Sequence, residues 1–252
     1  MKDIFNRDTL RAACGDIRDI SVYFDEVCDS TNARAKAWLR AENRGTALFA
    51  ASEQTDGRGR LGRHFYSPAG SGLYLTVVSH LSSEKTVGLT CAAAVAVMRA
   101  IRTCSGKQCD VKWVNDLFWN GKKVCGILAE AVSIGKDTAV VVGIGVNLRT
   151  AAFPPELQNI AGSLNDDRTP RAVLAAEIVR ELFPYLQDSA RKDWLDDYRR
   201  YSCVIGQDIS FTRGDETVAA KAVGIEADGG LTVVTDRGIE TLRTGEITLR
   251  LR

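Results

Sequence analysis

Three glycines and three arginines share seven positions in Gly57-Arg58-Gly59-Arg60-Leu61-Gly62-Arg63, with Gln54 just ahead of them. Arginine presents a rigid fork of donors that matches a carboxylate or a phosphate, and glycine lets backbone N–H groups approach an anion closely. The chemistry available to such a segment is the holding and neutralising of an anionic substrate. Gly57, Gly59 and Gly62 also satisfy G-x-G-x-x-G, the pattern of dinucleotide folds and kinase phosphate loops. The context of that pattern is missing. The residues that follow, His64 to Pro68, read as a turn rather than the start of a helix, and no V-A-I-K, H-R-D or D-F-G series is present. Taken alone, the segment fits a solvated Arg/Gly loop or a nonspecific RNA contact as well.

Three further segments carry polar groups inside apolar runs. In Lys112-Trp113-Val114-Asn115-Asp116 a lysine ends a strand-like stretch and a polar pair follows, which alone is also ordinary surface turn chemistry. In Lys123-Val124-Cys125-Gly126-Ile127-Leu128-Ala129-Glu130 a glycine interrupts a β-forming run, the mark of a β-bulge or of a ligand that must come close. In Gly143-Ile144-Gly145-Val146-Asn147 two glycines precede an amide that can read a base edge, although the stretch equally suits a core strand.

The elements that must position these residues alternate between helical and extended patterns, as in a mixed α+β domain. A helix is predicted over 32–41, capped by Ser30 or Thr31, and a second, buried one over 86–103. Strands are predicted at 46–51 and 73–80, followed by β-rich stretches at 109–119, 123–134 and 138–147. Asn120-Gly121 is a strong hairpin turn between the first two of these stretches, so the sheet is expected to be mostly antiparallel. Helices are expected again over 170–186 and 194–201. Short strands at 208–212, 218–225, 231–235 and 239–242 then suggest a small β-barrel, which divides the chain into 1–201 and 202–252.

Composition narrows the function classes. The 252 residues include 33 basic and 32 acidic side chains, a balance that argues against a general polyanion-binding surface. Seven cysteines (Cys14, Cys28, Cys91, Cys104, Cys109, Cys125, Cys203), without a C-x-x-C pair, suggest neither a disulfide framework nor a zinc site. His64 and His80 are the only histidines, so no histidine-based metal site is expected. No secretory signal or membrane-spanning run is read, and a soluble protein with reduced thiols in the cytoplasm is expected.

Together the segments resemble the biotin protein ligase family in order and approximate spacing: Ser30-Thr31-Asn32, Gln54 with the Gly57–Arg63 loop, Lys112-Trp113-x-Asn115-Asp116, Lys123-x-x-Gly126-Ile127-Leu128-x-Glu130 and Gly143-x-Gly145-x-Asn147. Gly245-Glu246-Ile247 to Arg250 is similar to the closing strand of the family's small C-terminal domain. The resemblance implies a class II synthetase-like catalytic domain with an SH3-like barrel. It implies an ATP-dependent ligase that makes biotinyl-5′-AMP, releases pyrophosphate, and then passes biotin to a lysine of a biotin carboxyl carrier protein, releasing AMP. By that resemblance Lys123, Arg60 and Lys112 are catalytic. Ser30, Thr31, Asn32, Gln54, Gly57, Arg58, Gly59, Arg60, Lys123, Gly126, Leu128 and Gly143 bind biotin, and Arg60, Arg63, Lys112, Asn115, Asp116, Asn147 and Arg250 contact ATP.

Magnesium is implied on the phosphates, with no metal ligands assigned in the chain, and a homodimer is implied by analogy. Val114 and Phe65 depart from the family, which usually has proline and often tryptophan there. With about two dozen residues ahead of Asp25, the DNA-binding domain of some members is not expected, nor is operator binding. The nearest rivals are a lipoate–protein ligase, which the Arg/Gly loop disfavours, an octanoyl-transferring relative using Cys125, and a noncatalytic nucleic-acid or scaffold module.

Overall fold

A computed structural model gives the fold, described over residues 3–81, 86–188 and 190–249. The main sheet has seven strands: β1 (Ile20–Cys28), β2 (Thr46–Gln54), β3 (Leu73–Leu81), β4 (Asp110–Lys112), β5 (Asp116–Trp119), β6 (Lys122–Ile134) and β7 (Asp137–Val146). Their order is β1-β2-β3-β7-β6-β5-β4. The β1–β2 pair is parallel and the other neighbours are antiparallel, in line with the mixed, mostly antiparallel sheet expected.

Alternation along the strands sorts the side chains onto two covered faces. Ala47, Phe49, Val78, Ala139 and Val141 pack with Ala35 and Leu39 of helix α2 (Thr31–Arg40). Leu48, Ala50, Val77, Val140 and Val142 take the opposite face, in one cluster with helices α3 (Thr86–Ser105) and α4 (Arg171–Gln187). Residues Cys91 to Met98 of α3 are buried all round, which is why that helix carries no polar stripe there. The hairpin joining β5 to β6 turns at Asn120 (φ 50°) and Gly121 (φ 73°), the left-handed pair that an Asn-Gly turn provides.

Two N-terminal elements went unread in the sequence. Helix α1 (Arg7–Ala13) is closed by a capping box between Asn6 and Thr9, and β1 forms the outer edge of the sheet. The extended stretch read as 109–119 is split into β4 and β5 by a turn at Trp113–Asn115, and the Trp113–Val114 peptide within it is cis. Ser30 does occupy the N-cap position of α2, but its side chain makes no capping hydrogen bond.

After the short helix α5 (Leu195–Arg200) come β8 (Asp208–Arg213), β9 (Glu216–Ile225), β10 (Leu231–Thr235), β11 (Gly238–Leu242) and β12 (Ile247–Leu249). They form an antiparallel sheet in the order β11-β10-β9-β8-β12. Among the described residues its two edge strands are not paired with each other, so the small barrel is open. This sheet shares the large apolar cluster with the main one through Ile209, Phe211, Ile225, Leu231 and Val233. Two polar contacts pin the junction. The buried Trp113 indole donates to the Gly229 carbonyl at 2.9 Å, and the Arg199 guanidinium donates twice to the Ile225 carbonyl at 3.0 and 2.6 Å. Among the described residues no helix is long and apolar enough to cross a membrane.

Trp113→Phe keeps most of the buried ring and deletes the donor, leaving the Gly229 carbonyl with the weak Cys91 thiol contact at 3.8 Å. Urea unfolding is expected to show a loss of about 1–3 kcal/mol, the cost of a buried acceptor stripped of its partner; an unchanged midpoint would mean that the junction does not rest on this bond.

Candidate active site

On the face of the sheet that α2 covers, β6 and β7 continue past the end of the α2 contact, and there the side chains run out. Gly126 lies opposite Gly145, and Leu128 opposite Gly143, in one period-two row across the two strands. The result is a cavity of about 370 Å3. The glycines are there to admit neighbours: a Cβ on Gly143 would stand 2.1 Å from Asn32 Oδ1, and one on Gly145 would stand 2.5 Å from the Phe65 ring.

One end of the cavity is neutral and hydrogen-bonded. The backbone N–H and hydroxyl of Thr31 donate to Gln54 Oε1 at 2.9 and 3.1 Å, and Gln54 Nε2 donates to the Ser67 hydroxyl at 2.9 Å. The Thr76 hydroxyl lies 2.6 Å from Asn32 Oδ1 and 2.8 Å from Thr31 Oγ1. Ser30, Thr31, Asn32 and Thr76 are all buried, and the hydrogen bonds among them and Gln54 hold their polar atoms in fixed directions at this end.

The other end is cationic. Lys123 and Gly126 are three residues apart on a strand and would face opposite sides of a regular ladder. An extra residue in β6 against Leu117 and Phe118, Val124, breaks the register and returns Lys123 to the cavity face. Its ammonium lies 2.7 Å from Asp116 Oδ1, an oxygen that is buried and takes no hydrogen bond, so the contact is an ion pair without hydrogen-bond alignment. Arg60 donates to Asn115 Oδ1 at 3.1 Å and to the Gly245 carbonyl at 2.9 Å. Arg63 pairs with Glu246 at 2.6 Å, and Arg58 with Asp56 at 3.3 Å. The lining thus holds four cations, Arg58, Arg60, Arg63 and Lys123, against two carboxylates, Asp116 and Glu246. The Arg/Gly segment is folded as a tight loop, with Gly59 N–H donating to the Arg63 carbonyl and Phe65 N–H to that of Gly57.

Asn147 stands at the same wall. Its Nδ2 donates to the Gly162 carbonyl at 3.0 Å, whereas Oδ1 is buried without a partner, an acceptor left over for something in the cavity. Phe65, at the position flagged as a departure, lies against Gly126 and Gly145, 6.4 Å from the Tyr74 ring.

Of the residues expected from the sequence, Ser30, Thr31, Asn32, Gln54, Arg58, Gly59, Arg60, Arg63, Asn115, Asp116, Lys123, Gly126, Leu128, Gly143 and Asn147 line this one cavity. Gly57 does not; it shapes the loop, since a Cβ there would meet the Phe65 carbonyl at 2.4 Å and the Ser67 hydroxyl at 2.6 Å. Lys112 is not part of the lining either, and its ammonium lies over the Phe118 ring at 5.5 Å. Arg250 falls outside the described residues. Cys125 is fully buried in the apolar cluster, and burial, reinforced by the charge of Asp116, pushes its thiol well above the ordinary range, which removes it as a nucleophile at neutral pH. His64 sits at the cavity edge, 3.1 Å from Asp56. Sequence reasoning missed Phe153, Leu157 and Ile160, which form an apolar wall and whose segment was read only as the interruption at Pro154-Pro155.

A model of the Biotin/lipoate A/B protein ligase family matches residues 24–147, and a model of the Biotin protein ligase C terminal domain matches residues 204–250. A biotin--[acetyl-CoA-carboxylase] ligase of Paracoccus denitrificans is 32% identical, over 87% of this chain and 96% of the relative. The bifunctional ligase/repressor BirA of Bacillus subtilis is 30% identical, over 90% of this chain and 73% of its own. Among solved structures, a biotin protein ligase from Aquifex aeolicus in complex with biotin and ATP superimposes with a TM-score of 0.75 at 28% identity, covering 93% of this chain and 99% of that one.

Glu246→Ala removes the partner that the turn ahead of β12 offers to Arg63 while leaving the Arg60 bond to Gly245. An ion pair this exposed is worth roughly 0.2–1 kcal/mol. Amide hydrogen exchange over 60–64 is therefore expected to quicken by about one and a half to fivefold; unchanged protection would mean that the loop is held without the small sheet.

Proposed function

Since the chain belongs to the biotin/lipoate A/B protein ligase family and is a biotin protein ligase, we propose that it attaches biotin to an acetyl-CoA carboxylase in two steps inside this cavity. In the first, a carboxylate oxygen of biotin bonds to the α-phosphorus of ATP and pyrophosphate leaves, giving biotinyl-5′-AMP. In the second, the amine of a carrier-domain lysine attacks the acyl carbon, an amide forms, and AMP leaves. The observation that carries this reading is the junction, in one cavity, of a buried neutral end with a cationic end.

The obstacle to the first step is repulsion. A carboxylate and a phosphate about 4 Å apart repel by roughly 4 kcal/mol per pair of unit charges in a partly screened site. Lys123, beside Gly126 and ion-paired with Asp116, is suited to the biotin carboxylate and the reacting phosphate oxygen. Arg58 and Arg60 close over the intermediate, and Arg63, Asn115 and Asp116 lie on the nucleotide side. The unpartnered Oδ1 of Asn147 suits the exocyclic amine of adenine. At the neutral end Ser30, Thr31, Asn32 and Gln54 face the ureido ring, with Gly126, Leu128 and Gly143 leaving room for it. Lys112 is given no step here, because its side chain is turned onto Phe118.

Among the described residues no group of three or more His, Cys, Asp or Glu could hold a metal, so magnesium would be held mainly by the phosphates. A cytoplasmic location agrees with the seven free cysteines.

Pyrophosphate exchange into ATP, run with biotin, lipoate or octanoate as the acid, tests the reading. Exchange is expected with biotin alone, and Lys123→Ala should lower it by about 100-fold or more, the usual loss when a group that stabilises developing charge is removed. Exchange with lipoate would favour a lipoate ligase, and an undiminished Lys123→Ala would remove that residue from the chemistry.

A further inference from the structure

The hydrogen bonds behind Asn32 lead out of the cavity to a carboxylate that neither step uses. Asn32 Nδ2 donates to Glu130 Oε2 at 3.1 Å, and the Lys36 ammonium donates to Glu130 Oε1 at 2.7 Å. Glu130 lies on β6 two residues beyond Leu128, on the cavity face of the strand, yet outside the lining itself. The side chains of Glu130 and Lys36 are about one third and one quarter exposed, so the pair is partly shielded from water.

A carboxamide has an accepting end and a donating end of nearly equal size, and its partners decide which way it points. For Asn32 two contacts agree. Nδ2 faces a carboxylate, which can only accept, and Oδ1 faces the Thr76 hydroxyl at 2.6 Å; so held, the amide lies over Gly143, a wall of the cavity, with Oδ1 nearest to it. Turning the amide over would set Oδ1 against Glu130, trading a charge-assisted hydrogen bond for repulsion between two oxygens. The carboxylate also polarises the amide, which makes Oδ1 a stronger acceptor.

We propose that Glu130 is a positioning residue that fixes Asn32 as a hydrogen-bond acceptor toward the cavity, and so makes the neutral end selective for a ring that presents N–H. Lys36 holds the carboxylate in place from the far side. The proposal rests on the biotin reading above, in which the ureido group supplies that N–H.

Calorimetric binding to the wild type, Glu130→Ala and Glu130→Gln tests it, using biotin and two analogues in which ring oxygen replaces one or the other ureido N–H. The wild type is expected to prefer biotin over at least one analogue. Glu130→Ala, which frees Asn32 to present either end, should weaken biotin about tenfold and shrink that preference by a similar factor. Glu130→Gln keeps an accepting oxygen for Asn32 and should hold the preference within about threefold of the wild type. A purely structural role would lower affinity for all three compounds alike, without changing their ratio, and that outcome overturns the proposal, as does an unchanged preference in Glu130→Ala. A wild type that binds biotin no better than either analogue overturns it too. Binding of none of the three by the wild type would instead remove the biotin reading, and the proposal with it.

Discussion

In the proposed reaction one electrostatic demand dominates: an anionic acid must meet an anionic phosphate, and the cations that allow this must be stored in the folded protein beforehand. Unpaired charges in a half-enclosed cavity are costly, so each cation has a resting partner. Those partners are of a kind that can be given up. Arg58 and Arg63 hold exposed or half-exposed carboxylates, pairs worth at most about 1 kcal/mol. Arg60 holds a neutral amide and a carbonyl, and Lys123 touches Asp116 without hydrogen-bond alignment. Two of these partners, Gly245 and Glu246, come from the turn between β11 and β12 of the small sheet. Its attachment through Trp113 and Arg199 therefore bears on the Arg/Gly loop as well as on stability.

Space for the substrates comes from omission. A sheet covered on both faces would ordinarily fill the positions of Gly126, Gly143 and Gly145 with β-branched side chains, as it does at Val140 and Val142 on the opposite face. Omitting side chains there lets Asn32, Phe65 and Lys123 come down onto the sheet and line the cavity, while the other face keeps its core. The bulge at Val124 is the complementary device. It costs one ladder position, whose carbonyl is taken by the Asn147 N–H at 2.8 Å, and brings Lys123 into line with the glycines.

What could be read in the sequence was what local spacing encodes. The Arg/Gly loop, the Asn120-Gly121 hairpin and the alternating glycines of β7 state their geometry within a few residues, whereas the polar lining was read from the resemblance of these and the neighbouring segments to the biotin protein ligase family. The misses share a cause, which is that their environment is set by distant chain. Strand β1 is an edge strand whose covered side carries Ile20, Val22, Phe24 and Cys28, but Tyr23 and Val27 are apolar residues on its exposed side, so no clean alternation marks it in the sequence. Phe153, Leu157 and Ile160 sit in an irregular segment with no period at all. Lys112 and Lys123 look alike in sequence, and only the bulge and the turn at Trp113–Asn115 separate one that enters the cavity from one that rests on Phe118. The tie from Glu130 to Asn32 spans 98 residues.

The central claim is that biotin is activated by bonding its own carboxylate oxygen to the α-phosphorus of ATP. The most direct test follows that oxygen. Biotin labelled with 18O in its carboxylate, turned over with ATP and a carrier domain, is expected to leave one labelled oxygen in each AMP released. Label in inorganic phosphate instead, or unlabelled AMP alongside biotinylated carrier, would contradict the account, because the acid would then have been activated at a different phosphorus or not through an adenylate.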